Sequence, residues 1–174
     1  MKELKLILIF SVCLAAVIHA PQVRADAGTS LTLSGEVKAS PCTVDDLTKT
    51  IDLGAYYVAT MAKGGDYVKF SVTLSSCPTG TSSVSATFSG DPDSSSPQWY
   101  YANTKITGAA TGIHIELASD ETVKKGLGNG RTMKVTVGTD RKAEFKLQAR
   151  INKGDSAPSA GLIQTTVNIT YSYS

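Results

Sequence analysis

The sequence is poor in the residues that catalysis and metal binding usually draw on. Its 174 residues include two histidines, three cysteines and a single tryptophan. A zinc site needs clustered His and Cys, and neither Cys42 nor Cys77 has a ligand-like neighbour at short spacing. No G-x-S-x-G nucleophile elbow occurs among the many serines. Asp91 and Asp93 stand close together, but the rest of a calcium loop is missing, so a solvated acidic loop is the simpler reading. Gly126, Gly128 and Gly130 precede a strand pattern rather than a helix, so they cannot cradle a phosphate at a helix N-terminus. A hairpin turn at Asn129-Gly130 accounts for them. Beyond the first residues there is no long apolar run, and no segment sustains a helical period.

The one long apolar run, Leu6 to Ile18, follows a short basic start. At thirteen residues it is short for a membrane span and fits the core of a secretory signal. Cleavage is expected after Ala25, with Ala27 the alternative. Losing residues 1–25 removes Lys2, Lys5, Arg24 and Glu3, and with them the chain's formal excess of two positive charges. No nucleic-acid footprint remains. Cys13 is lost too. Cys42 and Cys77 are left in an oxidising compartment, where their bridge would close a loop of about 36 residues worth roughly 3–4 kcal/mol. Two free thiols are the alternative.

What the remainder has is alternation of period two, the mark of strands with one apolar face. It appears as Ile51 and Leu53; as Val68, Phe70, Val72 and Leu74; and as Val84, Ala86 and Phe88. It continues as Ile113, Ile115 and Leu117; as Met133, Val135 and Val137; and as Ala143 to Ile151. The last run takes Ile163, Thr165, Val167, Ile169, Tyr171 and Tyr173. Turn residues separate the runs, among them Cys77-Pro78-Thr79-Gly80 and Lys153-Gly154-Asp155. Gly90 to Lys105 reads as a long surface loop. Short strands at this spacing predict an all-β, immunoglobulin-like sandwich in one domain. On this pattern His114, between Ile113 and Ile115, falls on a solvated face. Trp99, Tyr100 and Tyr101 form an exposed triplet that either lines a sugar-binding surface or packs on the sandwich rim. Asn168-Ile169-Thr170 matches a glycosylation sequon, with Asn168 facing outward.

One further run stands apart. Leu31, Leu33, Gly35, Val37 and Ala39 alternate with polar residues ahead of the first cysteine. A glycine sits on the face that should be apolar, where a packed strand normally wants a side chain.

The run SGEVKASPCTV, the middle stretch FSVTLSSCPTGTSSVSATFSGDPD and the closing NITYSYS together resemble the pilins of chaperone–usher fimbriae of Gram-negative bacteria. Within that family the chain is most similar to the FimG-like adaptors, the minor tip-fibrillum subunits of type 1 fimbriae. The likeness covers about Leu31 to Ser174. Its markers are Gly35, Cys42 with Cys77, Gly161 opening the last strand, and penultimate Tyr173.

The resemblance implies an incomplete immunoglobulin-like sandwich lacking its seventh strand. Residues 1–25 would be the signal, 26–40 an N-terminal donor-strand extension, and 41–174 the pilin domain. Leu31, Leu33, Gly35 and Val37 would fill a neighbouring subunit's groove. Gly161, Ile163, Val167, Ile169, Tyr171, Tyr173 and Ser174 would form this chain's own acceptor groove and the strand that a periplasmic chaperone recognises. The implied partners are that chaperone, an outer-membrane usher and neighbouring pilins. No cofactor, metal or catalytic residue is implied, and the site of action is the cell surface. A repeating shaft pilin and a secreted carbohydrate-binding module are the competing functions. An arm that folds back as the domain's own first strand is the structural alternative.

Overall fold

The computed structural model describes residues 30–37 and 41–174. The signal reading at 1–25 and the arm positions Lys38, Ala39 and Ser40 lie outside the described residues. Residues up to Glu36 and those from Val37 onward form two separate units. In the first, residues 30–36 carry no strand, and Leu31 and Leu33 are 81% and 86% exposed.

The second unit is a two-layer β-sandwich. Its strands are β1 (Thr43–Val44), β2 (Val68–Ser75), β3 (Ser83–Gly90), β4 (Tyr100–Ala102), β5 (Ile113–Ser119), β6 (Thr132–Thr136), β7 (Ala143–Lys153) and β8 (Val167–Tyr173). A 3-10 helical turn, Val58–Lys63, precedes β2. One sheet has the order β1-β2-β7-β5-β4 and the other β6-β3-β8. All pairings between these strands are antiparallel.

Every strand of the six strongest alternating runs forms, because each run has one face to bury. β7 lies between β2 and β5, with Phe70 opposite Leu147 and Ile115 opposite Ile151. Leu74, Val84, Ala86, Phe88, Phe145, Leu147 and Ile151 are all essentially solvent-free and form the core between the sheets. Each large side chain there contributes on the order of 1.5–3 kcal/mol of burial. Cys42 and Cys77 are bonded, tying the start of β1 to the turn after β2. In that turn Thr81 N–H donates to the Pro78 carbonyl, and Gly80 takes a φ of +100° that a side chain would oppose.

Four expectations are corrected. Ile51 and Leu53 are half-buried but lie in no strand; β1 falls earlier, at Thr43–Val44, and is only two residues long. The stretch from Gly90 to Lys105 is not a plain loop. It doubles back on itself, with Asp93 N–H bonded to the Tyr100 carbonyl and Ala102 N–H to the Asp91 carbonyl, and delivers β4 to the edge of the larger sheet. The Asn129-Gly130 turn is real, closed by Arg131 N–H to the Gly128 carbonyl, but it joins no hairpin. Its flanking strands, β5 and β6, belong to different sheets.

The fourth concerns His114. It is 5% exposed rather than solvated, with its ring 3.7 Å from that of Tyr100 and nearly parallel to it. The second face of β5 is covered as well as the first. Beside His114, Glu116 accepts hydrogen bonds from Tyr67 Oη (2.8 Å), Arg150 Nε (2.8 Å) and Asn152 Nδ2 (2.6 Å). Burial and the adjacent carboxylate push the Tyr67 hydroxyl up to about 12.

Candidate functional site: an open last strand

β8 carries the alternation VNITYSY, and it does not finish the job that alternation implies. Val167, Ile169, Tyr171 and Tyr173 point toward the core yet stay only half-buried, while Asn168, Thr170 and Ser172 are exposed. Tyr171 reaches the core ring of Phe145 at 5.9 Å between centroids. Partial burial raises the hydroxyl pKa of Tyr171, with a further push from Tyr173, and burial raises that of Tyr173.

On one side β8 is laddered to β3, with Phe88 opposite Ile169 and Ala86 opposite Tyr171. On the other it pairs with no strand among the described residues. The larger sheet has a matching deficit. β1 covers β2 only at Leu74 and Ser75, leaving the stretch from Val68 to Val72 without a strand on that side among the described residues. Phe70 and Val44 are likewise only half-covered. An unpaired edge beside a half-buried apolar row offers backbone bonds and hydrophobic area to an added strand.

Both ends of β8 are fixed. Ser174, just beyond it, is held by the start of β3: Ser82 and Ser83 N–H donate to its backbone oxygen at 2.7 and 2.9 Å. The Ser174 N–H returns a bond to the Ser83 carbonyl, and the two hydroxyls of Ser83 and Ser174 meet at 2.6 Å. The stretch before β8 is not strand, although the alternation extends through it. Leu162 instead bonds Gly108 and Ala110 through its backbone, and Asn103 clamps the same segment by bonding the Leu162 carbonyl and the Gln164 N–H. Gly161 is packed so closely that a Cβ would lie 2.4 Å from the Ala110 nitrogen.

The site residues named from sequence therefore divide. Val167, Ile169, Tyr171 and Tyr173 share one face of one strand, and Ser174 anchors its end. Gly161 and Ile163 lie before it, in the clamped segment. Leu31, Leu33, Gly35 and Val37 are exposed, and a Cβ on Gly35 would meet nothing within 4 Å. The Ser82–Ser83 clamp and the Asn103 clamp were not foreseen. Short polar side chains in turns carry no periodic signal, so only coordinates reveal them.

A disulfide-stapled immunoglobulin-like sandwich with one edge strand half-covered defines an all-β protein with an open strand edge among its described residues. The chain belongs to the fimbrial protein family, whose profile matches residues 31–174. It is 35% identical over 151 residues to protein FimG of Escherichia coli strain K12, covering 85% of this chain and 86% of that one. It is 33% identical over 161 residues to a type-1 fimbrial protein subunit of Serratia marcescens, covering 84% and 87%. The fold matches the P pilus rod subunit PapA with a TM-score of 0.64 at 17% identity, over 78% of this chain and all of that one. It matches a subunit of a chaperone–usher pilus with a TM-score of 0.63 at 16% identity, over 89% of this chain and all of that one. The protein is a non-enzymatic fimbrial subunit, a component of an extracellular pilus on a bacterial surface.

Proposed function

We propose that the chain is a minor adaptor subunit of a type 1-like fimbria, assembled by donor-strand exchange. The carrying observation is β8, whose apolar face is half-covered and whose outer edge is unpaired among the described residues. Strand addition by a chaperone or a neighbouring pilin is a general mode of β-recognition. In this reading residues 1–25 are the export signal, 26–40 the donor arm and 41–174 the acceptor domain. A periplasmic chaperone first occupies the edge along Val167 to Tyr173, with Gly161, Ile163 and Ser174 flanking it. At an outer-membrane usher a neighbour's arm replaces the chaperone.

The arm supports this reading from the other side. Leu31, Leu33 and Val37 expose most or all of their surface, and covering each would gain on the order of 1.5–3 kcal/mol. Gly35 has open space around it, so no described residue of the chain demands a glycine there. A shallow part of a neighbour's groove would demand one, since the arm's backbone must then come close.

The adaptor role, as against a repeating shaft subunit, rests on the likeness to FimG. Co-purification from periplasm tests the function. The subunit is expected with a chaperone bound, and Ile169→Asp should abolish the complex; a soluble, partner-free monomer would contradict the proposal. Gly35→Leu should leave chaperone binding intact and block insertion of this chain's own arm into a neighbour's groove. Normal assembly would refute the shallow-groove argument.

A further inference from the structure

The tryptophan singled out in the sequence is not used by β8. Trp99 lies against the turn that carries the chain from β5 to β6. Gly126 is the reason it fits, since a Cβ there would come within 2.0 Å of Trp99 Cε3. The backbone locks the two segments together: Gly128 N–H donates to the Gln98 carbonyl and Asn129 N–H to the Pro97 carbonyl, both at 3.2 Å. The indole is thus a fixed surface rather than a swinging one, and it remains 38% exposed. Its neighbours in the triplet behave otherwise. Tyr101 is fully buried, donating its hydroxyl to the Leu127 carbonyl, and Tyr100 stacks on His114.

Trp99 lines a cleft of about 300 Å³ together with Gly126, Gly130, Thr132 and three cations, Lys124, Lys125 and Arg131, with no acidic residue in the lining. Two of the three cations are already engaged. Lys124 lies 4.5 Å from the centre of the Tyr67 ring, and Lys125 pairs with Glu121 at 3.3 Å. Arg131 forms no ion pair with another described residue, while its backbone is pinned by bonds to Gly128 and Phe88. The cleft therefore presents one rigid aromatic surface and one uncommitted guanidinium at its rim.

The two features ask for different parts of one ligand. An indole face is apolar and electron-rich, and it suits the slightly positive C–H face of a sugar ring. A guanidinium presents a planar fork of donors that matches a carboxylate or a sulfate. The volume lies at the lower end for small-molecule sites and holds one or two rings. We propose that the cleft between Trp99 and Arg131 binds an anionic saccharide, a pyranose bearing a carboxylate or sulfate group.

Calorimetric titration of the isolated subunit, with any co-purifying partner left bound, tests this with 3′-sialyllactose, 3′-sulfolactose and neutral lactose. One or both anionic sugars should bind saturably and at least about tenfold more tightly than lactose, and binding should weaken as salt screens the charges. Trp99→Ala should cost about tenfold or more and Arg131→Gln about fivefold, with far-UV circular dichroism unchanged. Arg131 is exposed, so its variant keeps the test decisive even if Trp99→Ala misfolds. Failure of both anionic sugars to bind would overturn the proposal. So would affinity that survives Arg131→Gln intact, or inorganic sulfate binding as tightly as 3′-sulfolactose.

Discussion

β5 and β8 look alike as sequence and end in opposite environments. IHIELAS and VNITYSY both alternate, seven residues each. All seven positions of β5 are buried, including His114 and Glu116, whereas none of β8 is fully buried. The difference lies in what surrounds each strand. β5 has β7 on one side, β4 on the other, and Tyr100, Arg150 and Asn152 against its polar residues. β8 has β3 on one side and no described strand on the other. Alternation fixes which face of a strand turns inward; it is silent on how completely either face is covered. A strand whose inward face remains half-exposed in a disulfide-stapled domain carries apolar surface that its described neighbours leave uncovered.

The contrast yields predictions of decreasing size, each measurable by urea unfolding of the purified subunit. The largest effect should come from truncating the buried strand. Ile115→Ala should cost about 2–5 kcal/mol, as for core deletions generally, while Ile169→Ala should cost about 1 kcal/mol or less. Equal losses would erase the distinction between the two strands. A middle-sized effect is expected from Glu116→Ala, which strips the acceptor from Tyr67, Arg150 and Asn152 at once. About 2–3 kcal/mol is anticipated, below the full cost of a buried pair because Arg150 is partly exposed. A change under about 0.5 kcal/mol would mean the network is ornamental.

The smallest effect concerns pH. His114 Nδ1 is buried without a hydrogen-bond partner among the described residues. Burial lowers the imidazole's pKa, Asp93, Asp155 and Glu116 push the other way, and Arg150 adds to the lowering. With the folded pKa below the unfolded value of about 6.5, the unfolded chain takes up the proton first. Stability from this group is therefore complete above about pH 6.5 and declines as pH falls toward the folded pKa. His114→Phe, which keeps a ring against Tyr100, should flatten the stability profile below about pH 6.5. An unaltered slope would show that other groups set it.

Much of this architecture was readable before any coordinates. Six strands, the bridge between Cys42 and Cys77, and the inward parity of Val167, Ile169, Tyr171 and Tyr173 follow from period two and from cysteine count. What escaped was short or tertiary. β1 has two residues and β4 three, too few for a period to register. Ile51 and Leu53 alternate over too short a span to specify a strand, and they bury as an irregular segment. Val58–Lys63 forms a 3-10 turn anchored by Met61, with no repeat to announce it. His114 was misplaced because Tyr100, fourteen residues earlier, arrives to cover it. Ile163 alternates in phase with β8, but the Asn103 clamp diverts the chain there, and neighbours distant in sequence decide such points.

The most direct test of the open strand is a photocrosslinking amino acid placed at Ile169 in fimbriated cells, with the crosslinked peptides sequenced by mass spectrometry. Adducts should carry the alternating N-terminal segment of a different subunit. Adducts confined to the same molecule's own Leu31–Val37 segment would contradict the account.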